Sequence, residues 1–388
     1  MKKMLSLLAA LVIVLTAVAL PALAEAPKPI LVGAIAPTTG PVSVYGVSVT
    51  NGIKLAVEEI NAAGGVLGRP LEVSYMDDKA DSTEGANAFN KLVSDGVCAV
   101  IGSVTSGVTG GLSTLATQKN MLLLTPTATN VDITGVNKPT VFRACYLDSF
   151  QGAMAARMTS ELGLKKVAIL YAASDPYSAG LRDSYVATAK ELGLEIVAEE
   201  SSSSVNDVDY TSQLTNIAFS QPEAIFAPYY YDVVGPYIVP QARAAGYTGY
   251  FIGADGWDGT TGTMLEDKSL YNSSYFVNHY AQDDPSDVVQ GFVSNYIKTY
   301  GEESLTALAA LAYDSVYMLK QAIETAGTDS TADIVKAMTG MSFVGVTGNF
   351  KLSETGTPNK SISTIQLLDG KAVLYSTMEE GKDTILAK

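Results

Sequence analysis

From residue 29 onward the sequence alternates short apolar runs with longer amphipathic segments. Within each amphipathic segment, an apolar residue recurs every three or four positions. A turn rich in Gly, Ser or Thr follows each apolar run, and most of the amphipathic segments end at a glycine. Short strands separated by helices of about 10–17 residues predict βαβ units, because parallel strands must be joined by a crossover that covers the sheet. We therefore expect an α/β protein with parallel sheets covered on both faces.

The alternation runs through the chain twice. Two sheets of about four or five strands suit this length better than one very wide sheet. Three helices, 287–300, 305–326 and 331–338, then follow without an intervening strand and are expected to pack back on the first half. The predicted strands of the two series are 30–36, 71–76, 99–102, 121–125, 141–146, 167–171, 195–198, 224–228, 250–253 and 275–278, and the tail is expected to form strands at 348–352, 363–368 and 372–375.

The first 24 residues have the features of a secretory signal. Lys2 and Lys3 precede an apolar run from Leu5 to Leu20, and Ala22-Leu23-Ala24 provides the small residues of a cleavage site. The run is shorter than the roughly 20 residues that a spanning helix needs. No cysteine lies at the cleavage site, so lipid attachment there is not expected. We predict a periplasmic protein, with free secretion as the alternative.

Composition excludes several classes of function. The formal net charge of −15 disfavours nucleic acid as a partner, since such a surface repels phosphate backbones. One histidine and two cysteines cannot supply a His-rich zinc site or paired CxxC motifs. Cys98 and Cys145 lie at opposite ends of predicted strands, which favours two buried thiols over a disulfide.

The sequence contains none of the common catalytic or nucleotide-binding motifs, namely G-x-G-x-x-G, the P-loop, G-x-S-x-G and H-E-x-x-H. His279 follows a predicted strand and is interpreted as structural. Asp77, Asp78 and Asp81 lie in a polar loop and are interpreted as solvated charge rather than a metal site. We expect no catalysis, no cofactor and no metal.

Polar residues gather just after the predicted strands, where open α/β sheets bind their ligands. Ser106 and its neighbours run directly into a helix, so they predict a carboxylate site at a helix N-terminus, with simple helix capping as the alternative. Thr127 and Thr129 could accept hydrogen bonds from a cation, although turn chemistry explains them equally well. Asp255 beside Trp257 is a candidate counter-charge for an ammonium group. Tyr229, Tyr230, Tyr231 and Trp257 also follow predicted strands, and their large apolar area would need a ligand, a lid or a partner to cover it.

The order of these segments resembles the type I periplasmic substrate-binding proteins of ABC importers, specifically the leucine/isoleucine/valine-binding family. The resemblance covers essentially the whole mature chain and rests on stretches such as Gly33 to Gly40, Gly52 to Asn61, Gly64 to Arg69 and Gln241 to Gly246. It implies two lobes, each a parallel sheet flanked by helices, joined by a multi-strand hinge. The implied division is signal 1–24, first lobe 25–146 with 279–350, and second lobe 147–278 with 351–388.

The resemblance also implies roles for individual residues. Ser106, with N–H groups near Gly107, would bind an α-carboxylate, and Asp255 would neutralise the ammonium group, where the family usually has glutamate. The Thr127 carbonyl and the Thr129 hydroxyl would complete these contacts. The remaining implied ligand contacts are Tyr45 from the first lobe and Tyr177, Tyr230 and Tyr231 from the second.

These observations predict a monomeric periplasmic protein that delivers an α-amino acid with a branched or otherwise apolar side chain to the permease of an ABC importer. Two alternatives share the fold. One binds an aromatic acid or an amide, and the other reports its ligand to a receptor instead of a transporter.

Overall fold

Five apolar runs in the first third of the chain form one parallel sheet. The structure is a computed structural model that describes residues 27–260 and 267–379, so the predicted signal at 1–24 and the end of the tail lie outside the described residues. The strands are β1 Ile30–Ala36, β2 Leu71–Asp77, β3 Ala99–Ile101, β4 Leu122–Thr125 and β5 Val141–Arg143, in the order β2-β1-β3-β4-β5. Every residue of β3, β4 and β5 is buried, which explains why these strands are continuously apolar or nearly so.

A second sheet of seven strands contains β6 Lys166–Ala172, β7 Glu195–Ser202, β8 Ala224–Phe226, β9 Tyr250–Gly253, β10 Ser274–Asn278, β13 Ser361–Leu368 and β14 Lys371–Glu379. The expectation of four or five strands was therefore wrong for this sheet. Its first five strands are parallel, but the C-terminal hairpin β13–β14 adds to the edge at β10 in the antiparallel sense. Strands β11 Ser342–Gly345 and β12 Gly348–Lys351 form a separate two-stranded sheet, of which only the second strand was predicted.

Helices connect the strands and cover the sheets. They are α1 Ser43–Ala62, α2 Ser82–Ser94, α3 Ser106–Lys119, α4 Asp148–Glu161, α5 Pro176–Glu191, α6 Thr211–Phe219, α7 Tyr231–Val233, α8 Val239–Ala244, α9 Asp287–Tyr300, α10 Ala307–Ala326 and α11 Thr331–Met338. A π-helical turn, Val234–Ile238, joins α7 to α8 and contains Pro236. Because proline lacks an N–H group, it interrupts the regular ladder of hydrogen bonds between α7 and α8.

The body around the five-stranded sheet is called the first lobe below, and the body around the seven-stranded sheet the second lobe. Helix α10 packs along α1, which itself covers β1 and β2, so the late helices belong with the first lobe. A Cβ atom on Gly52 would lie 2.2 Å from the Ala309 carbonyl oxygen, so this glycine lets the two helices approach closely. None of the helices in the described ranges is long and apolar enough to cross a bilayer.

The chain crosses from one lobe to the other three times, in segments 144–147, 279–286 and 352–360. Lys360 in the third segment donates hydrogen bonds from Nζ to the Ala144 carbonyl oxygen in the first segment (3.0 Å) and to the Thr347 hydroxyl (2.5 Å). This buried side chain therefore ties two of the hinge segments together. Cys98 and Cys145 are buried with free thiols. The exact limits of the lobes stay a prediction.

Candidate functional site

A cavity lies where the carboxyl ends of the two sheets face each other. The residues that line the cavity are Tyr45, Val104, Thr105, Ser106, Thr127, Thr129, Tyr177, Tyr230, Asp255, Gly256 and Leu308. Seven of the nine residues predicted from the sequence are among them, whereas Gly107 and Tyr231 do not line the cavity.

Ser106 is the first residue of helix α3, and its position bears on whether it only caps that helix. The preceding N-cap residue is Thr105, whose side chain caps none of the N–H groups in the described first turn. The Ser106 hydroxyl accepts a hydrogen bond from the Asn130 backbone N–H at 3.2 Å. Its own proton is therefore free to be donated into the cavity. Together with the uncapped N-terminus of a 14-residue helix, this hydroxyl forms a site suited to a carboxylate.

The loop after β4 is held by hydrogen bonds to its neighbours. The Thr127 hydroxyl donates to the Val104 carbonyl oxygen at 2.9 Å, which uses its proton within the protein. Behind the loop, the fully buried Arg143 guanidinium donates to the carbonyl oxygens of Ala128 and Asn130, both at 2.9 Å. These bonds fix the loop backbone, so the segment that faces the cavity is preformed.

Asp255 supplies the carboxylate of the second lobe and is only 5% exposed. It begins a 3₁₀ turn, Asp255–Trp257, directly after β9. Its Oδ1 accepts a hydrogen bond from the Tyr177 hydroxyl at 2.8 Å, and its Oδ2 lies 2.9 Å from Nε2 of His279. Both carboxylate oxygens are thus held in place by side chains, of which Tyr177 lines the cavity and His279 does not.

His279 was interpreted from the sequence as structural, and its contact with Asp255 was missed. The imidazole is buried and stacks on the Tyr146 ring, with ring centres 3.8 Å apart. Burial lowers the pKa of His279, and the hydrogen bond to Asp255 opposes that shift. The available signal was its position, because His279 directly follows a strand of the second sheet, as other site residues do.

Gln151 connects Asp255 to a second buried carboxyl group. Its Oε1 accepts from the Asp255 backbone N–H at 3.3 Å, and its Nε2 donates to Oδ1 of Asp148 at 2.9 Å. Burial raises the pKa of Asp148 to about 8, opposed by the nearby Thr129 hydroxyl and by Gln151. Within the described residues, Oδ2 of Asp148 has no hydrogen-bond partner of normal geometry. This network supports both walls of the cavity.

Several side chains join the two lobes around the cavity. The Tyr45 hydroxyl of the first lobe donates to the Gly256 carbonyl oxygen of the second at 2.5 Å. Tyr231, predicted as a ligand contact, instead accepts a hydrogen bond from the Val44 backbone N–H at 3.1 Å. Any side chain on Gly256 would meet the Tyr177 hydroxyl at 2.7 Å, which explains the glycine. The described conformation is therefore one in which the lobes are in contact over the site.

Two other groups singled out in the sequence have structural roles. The interpretation of Asp78 as solvated charge was wrong, because it is fully buried and accepts hydrogen bonds from the Ser103 hydroxyl and the Ala80 backbone N–H. Asp81 caps helix α2. Trp257 is fully buried in the second lobe and donates from Nε1 to the Ala227 carbonyl oxygen at 2.7 Å. Across 27–260 and 267–379, three or more His, Cys, Asp or Glu side chains nowhere form a group that could hold a metal ion.

The sequence of the chain is similar to a family model and to known proteins. The model described as periplasmic binding protein matches residues 29–372. The chain belongs to this family. A Leu/Ile/Val-binding protein homolog of Brucella melitensis is 30% identical over 350 residues, which cover 89% of this chain and 93% of the relative.

Solved structures of periplasmic binding proteins share the two-lobed architecture. The leucine binding protein LivK of Thermotoga maritima matches with a TM-score of 0.83 and 30% identity, covering 90% of this chain and 99% of its own. The branched-chain amino acid transporter substrate binding protein LivJ of Streptococcus pneumoniae, solved with isoleucine, also gives a TM-score of 0.83, with 29% identity and coverage of 91% and 99%. The family and fold expected from the sequence are confirmed.

Proposed function

We propose that the protein binds a single α-amino acid with a branched or otherwise apolar side chain between its lobes and delivers it to the permease of an ABC importer. One observation carries the proposal. A carboxylate from one lobe, Asp255, and an uncapped helix N-terminus headed by Ser106 from the other line the same cavity. A zwitterion complements both ends, because its ammonium group pairs with Asp255 and its carboxylate with the helix terminus.

The rest of the cavity wall favours an apolar ligand side chain. Val104 and Leu308 provide aliphatic surface, and the rings of Tyr45 and Tyr230 close the remaining sides. Tyr230 is held by stacking on Tyr177, with ring centres 4.9 Å apart and planes 15° from parallel. A branched aliphatic side chain would gain about 25 cal/mol for each Å² that it buries against these residues. The relatives named for leucine, isoleucine and valine agree with this choice.

Calorimetric titration of the mature protein tests the proposal. Leucine, isoleucine and valine are expected to bind, whereas 4-methylpentanoate, which lacks the amine of leucine, and 3-methylbutylamine, which lacks the carboxylate, should each bind at least tenfold more weakly. Benzoate and small amides serve as competitors for the alternative ligand classes. Equal affinity for leucine and 4-methylpentanoate would reject the zwitterion. We expect benzoate to bind weakly, because the Asp255 carboxylate repels a ligand that is only an anion. Tight binding of benzoate alone would therefore reject the proposal and establish the aromatic-acid alternative.

The cellular setting follows from the same proposal. We expect the mature chain to begin at Glu25, to be released by osmotic shock and to be monomeric by light scattering. Ligand uptake by vesicles that contain the cognate permease should depend on the added protein. Loss of ligand signalling through a receptor, with uptake unchanged when the protein is deleted, would instead identify a sensor.

A further inference from the structure

The ammonium side of the cavity contains one feature that the proposed function does not use, namely the only histidine of the chain. The His279 side chain is fully buried and does not line the cavity, and its Nε2 lies 2.9 Å from Asp255 Oδ2. Its ring is fixed from one side by stacking on Tyr146 at 3.8 Å. The backbone N–H of His279 donates to Oδ1 of Asn278 at 2.8 Å, which fixes the start of the hinge segment. The imidazole therefore holds Asp255 in a defined orientation.

The hydrogen bonds determine which nitrogen carries the proton. Asp255 Oδ2 is an acceptor, so Nε2 must be the donor. Among the described residues, Nδ1 has no hydrogen-bond partner. A second proton, on Nδ1, would give the buried ring a positive charge and an unpaired N–H group, which costs free energy. The arrangement thus favours a neutral imidazole protonated at Nε2.

Two charged groups near the imidazole act on its protonation in opposite directions. Lys360 in the adjacent hinge segment repels a proton on the ring, whereas Asp255 attracts one. Burial, the largest effect, lowers the pKa of His279. Asp148 lies behind Asp255 and also titrates, and burial raises its pKa to about 8. Tyr146 and Tyr177 remain neutral hydroxyl groups, since burial raises the pKa of each well above its usual value.

We propose that His279 is the positioning residue that makes the cleft selective for ligands with an ammonium group. As a neutral hydrogen-bond donor, His279 orients the Asp255 carboxylate but does not neutralise it, so the negative charge of Asp255 is left for the ligand. A lysine or arginine in this place would neutralise Asp255 and take the role of the ammonium group. A neutral imidazole supplies the orientation without the charge. This inference rests on the proposed binding of an α-amino acid at Asp255.

The chain offers a direct spectroscopic test, because its single histidine gives a single set of imidazole ¹⁵N signals when the protein carries no histidine tag. We expect the neutral form protonated at Nε2 at neutral pH, with and without leucine. A doubly protonated ring at neutral pH, or a ring protonated at Nδ1 alone, would overturn the inference.

Two variants test the effect on selectivity. His279→Phe keeps an aromatic ring against Tyr146 but loses the donor, and should weaken leucine binding by about tenfold or more while changing 4-methylpentanoate binding less. His279→Gln provides a neutral N–H donor of similar reach and should restore most of the lost affinity. Tyr271→Phe is the matched control, because it removes a buried hydroxyl that donates to the Gly235 carbonyl oxygen, and neither residue lines the cavity. The affinity of this variant for leucine should equal that of the wild type.

The outcomes separate this inference from the proposed function. If the wild type binds leucine far better than 4-methylpentanoate but His279→Phe preserves that ratio, the role of His279 is rejected while the proposed function stands. If the wild type itself does not discriminate between the two ligands, the proposed function fails. A thermal unfolding measurement on each variant establishes that the compared proteins are folded.

Discussion

The Asp258 carboxylate of the second lobe accepts a hydrogen bond at 2.7 Å from the backbone N–H of Ala307, the first residue of helix α10 in the first lobe. The same oxygen, Oδ2, accepts a hydrogen bond from Nδ2 of Asn278 at 2.9 Å, so the side chain is fixed from its own lobe. A carboxylate at a helix N-terminus is a favourable contact. Because Asp258 does not line the cavity, this contact stabilises the joined lobes without touching the ligand.

We therefore expect Asp258→Asn to weaken ligand binding although the cavity is unchanged. The lost charge at a partly buried contact corresponds to about 1 kcal/mol, or roughly a fivefold increase in Kd. Small-angle scattering should show a larger mean radius at subsaturating ligand, because closure is a shift between open and closed populations. Asp267→Asn is the control, since Asp267 accepts from the Ser269 backbone N–H within one lobe. Equal Kd values for both variants and the wild type would contradict a role in closure.

Ser106→Ala tests the carboxylate end of the site. The variant removes the hydroxyl proton that the Asn130 contact leaves free, so leucine affinity should fall by about tenfold. The affinity of 3-methylbutylamine, which has no carboxylate, should change less. Ser113→Ala in the same helix is the matched control, because the Ser113 hydroxyl donates only to the Gly110 carbonyl oxygen within the helix and accepts from Lys138 outside the cavity. Full leucine affinity in Ser106→Ala would show that Ser106 has only a structural role.

Asp148 predicts an unusual dependence of stability on pH. Its pKa is raised to about 8 by burial, whereas in the unfolded chain it is about 3.9. The folded state therefore binds more protons between these values, and the contribution of Asp148 to the free energy of unfolding is present at low pH and lost as the pH rises towards 8. His279 acts in the opposite sense, because its lowered pKa makes protonation below about pH 6.5 destabilising.

Comparison with Asp148→Asn isolates the Asp148 contribution. From pH 5 to pH 8 the free energy of unfolding of the wild type should fall by roughly 2–4 kcal/mol relative to the variant. Urea unfolding followed by the fluorescence of the single buried Trp257 measures both proteins. Parallel stability curves would show that Asp148 is ionised in the folded protein at neutral pH.

Much of the site could be predicted because open parallel sheets place ligands beyond the carboxyl ends of their strands. Ser106 follows β3 and Asp255 follows β9. A sequence that locates these strands therefore also locates the residues for the carboxylate end and the ammonium end of the ligand. The periodicity of apolar residues was sufficient for this purpose, since errors of two or three residues in strand limits do not move a residue to the other edge of a sheet.

Contacts between segments distant in the chain could not be predicted. Leu308 reaches the cavity from the start of α10, a helix that the sequence assigns to the first lobe but not to the site. Asp78 lies in a run of acidic residues that looks solvated, yet the fold buries it against Ser103. The pairing of His279 with Asp255 spans 24 positions and depends on how the hinge leaves β10. Local pattern contains no information on these distances.

The most direct test of the account is the affinity of Asp255→Asn for leucine and for 4-methylpentanoate, measured by calorimetry beside the wild type. Asparagine keeps the size of the side chain and removes its charge. We predict that leucine binding weakens by at least tenfold and that the preference for leucine over 4-methylpentanoate largely disappears. An unchanged affinity for leucine, with the preference intact, would contradict the pairing of the ligand ammonium group with Asp255.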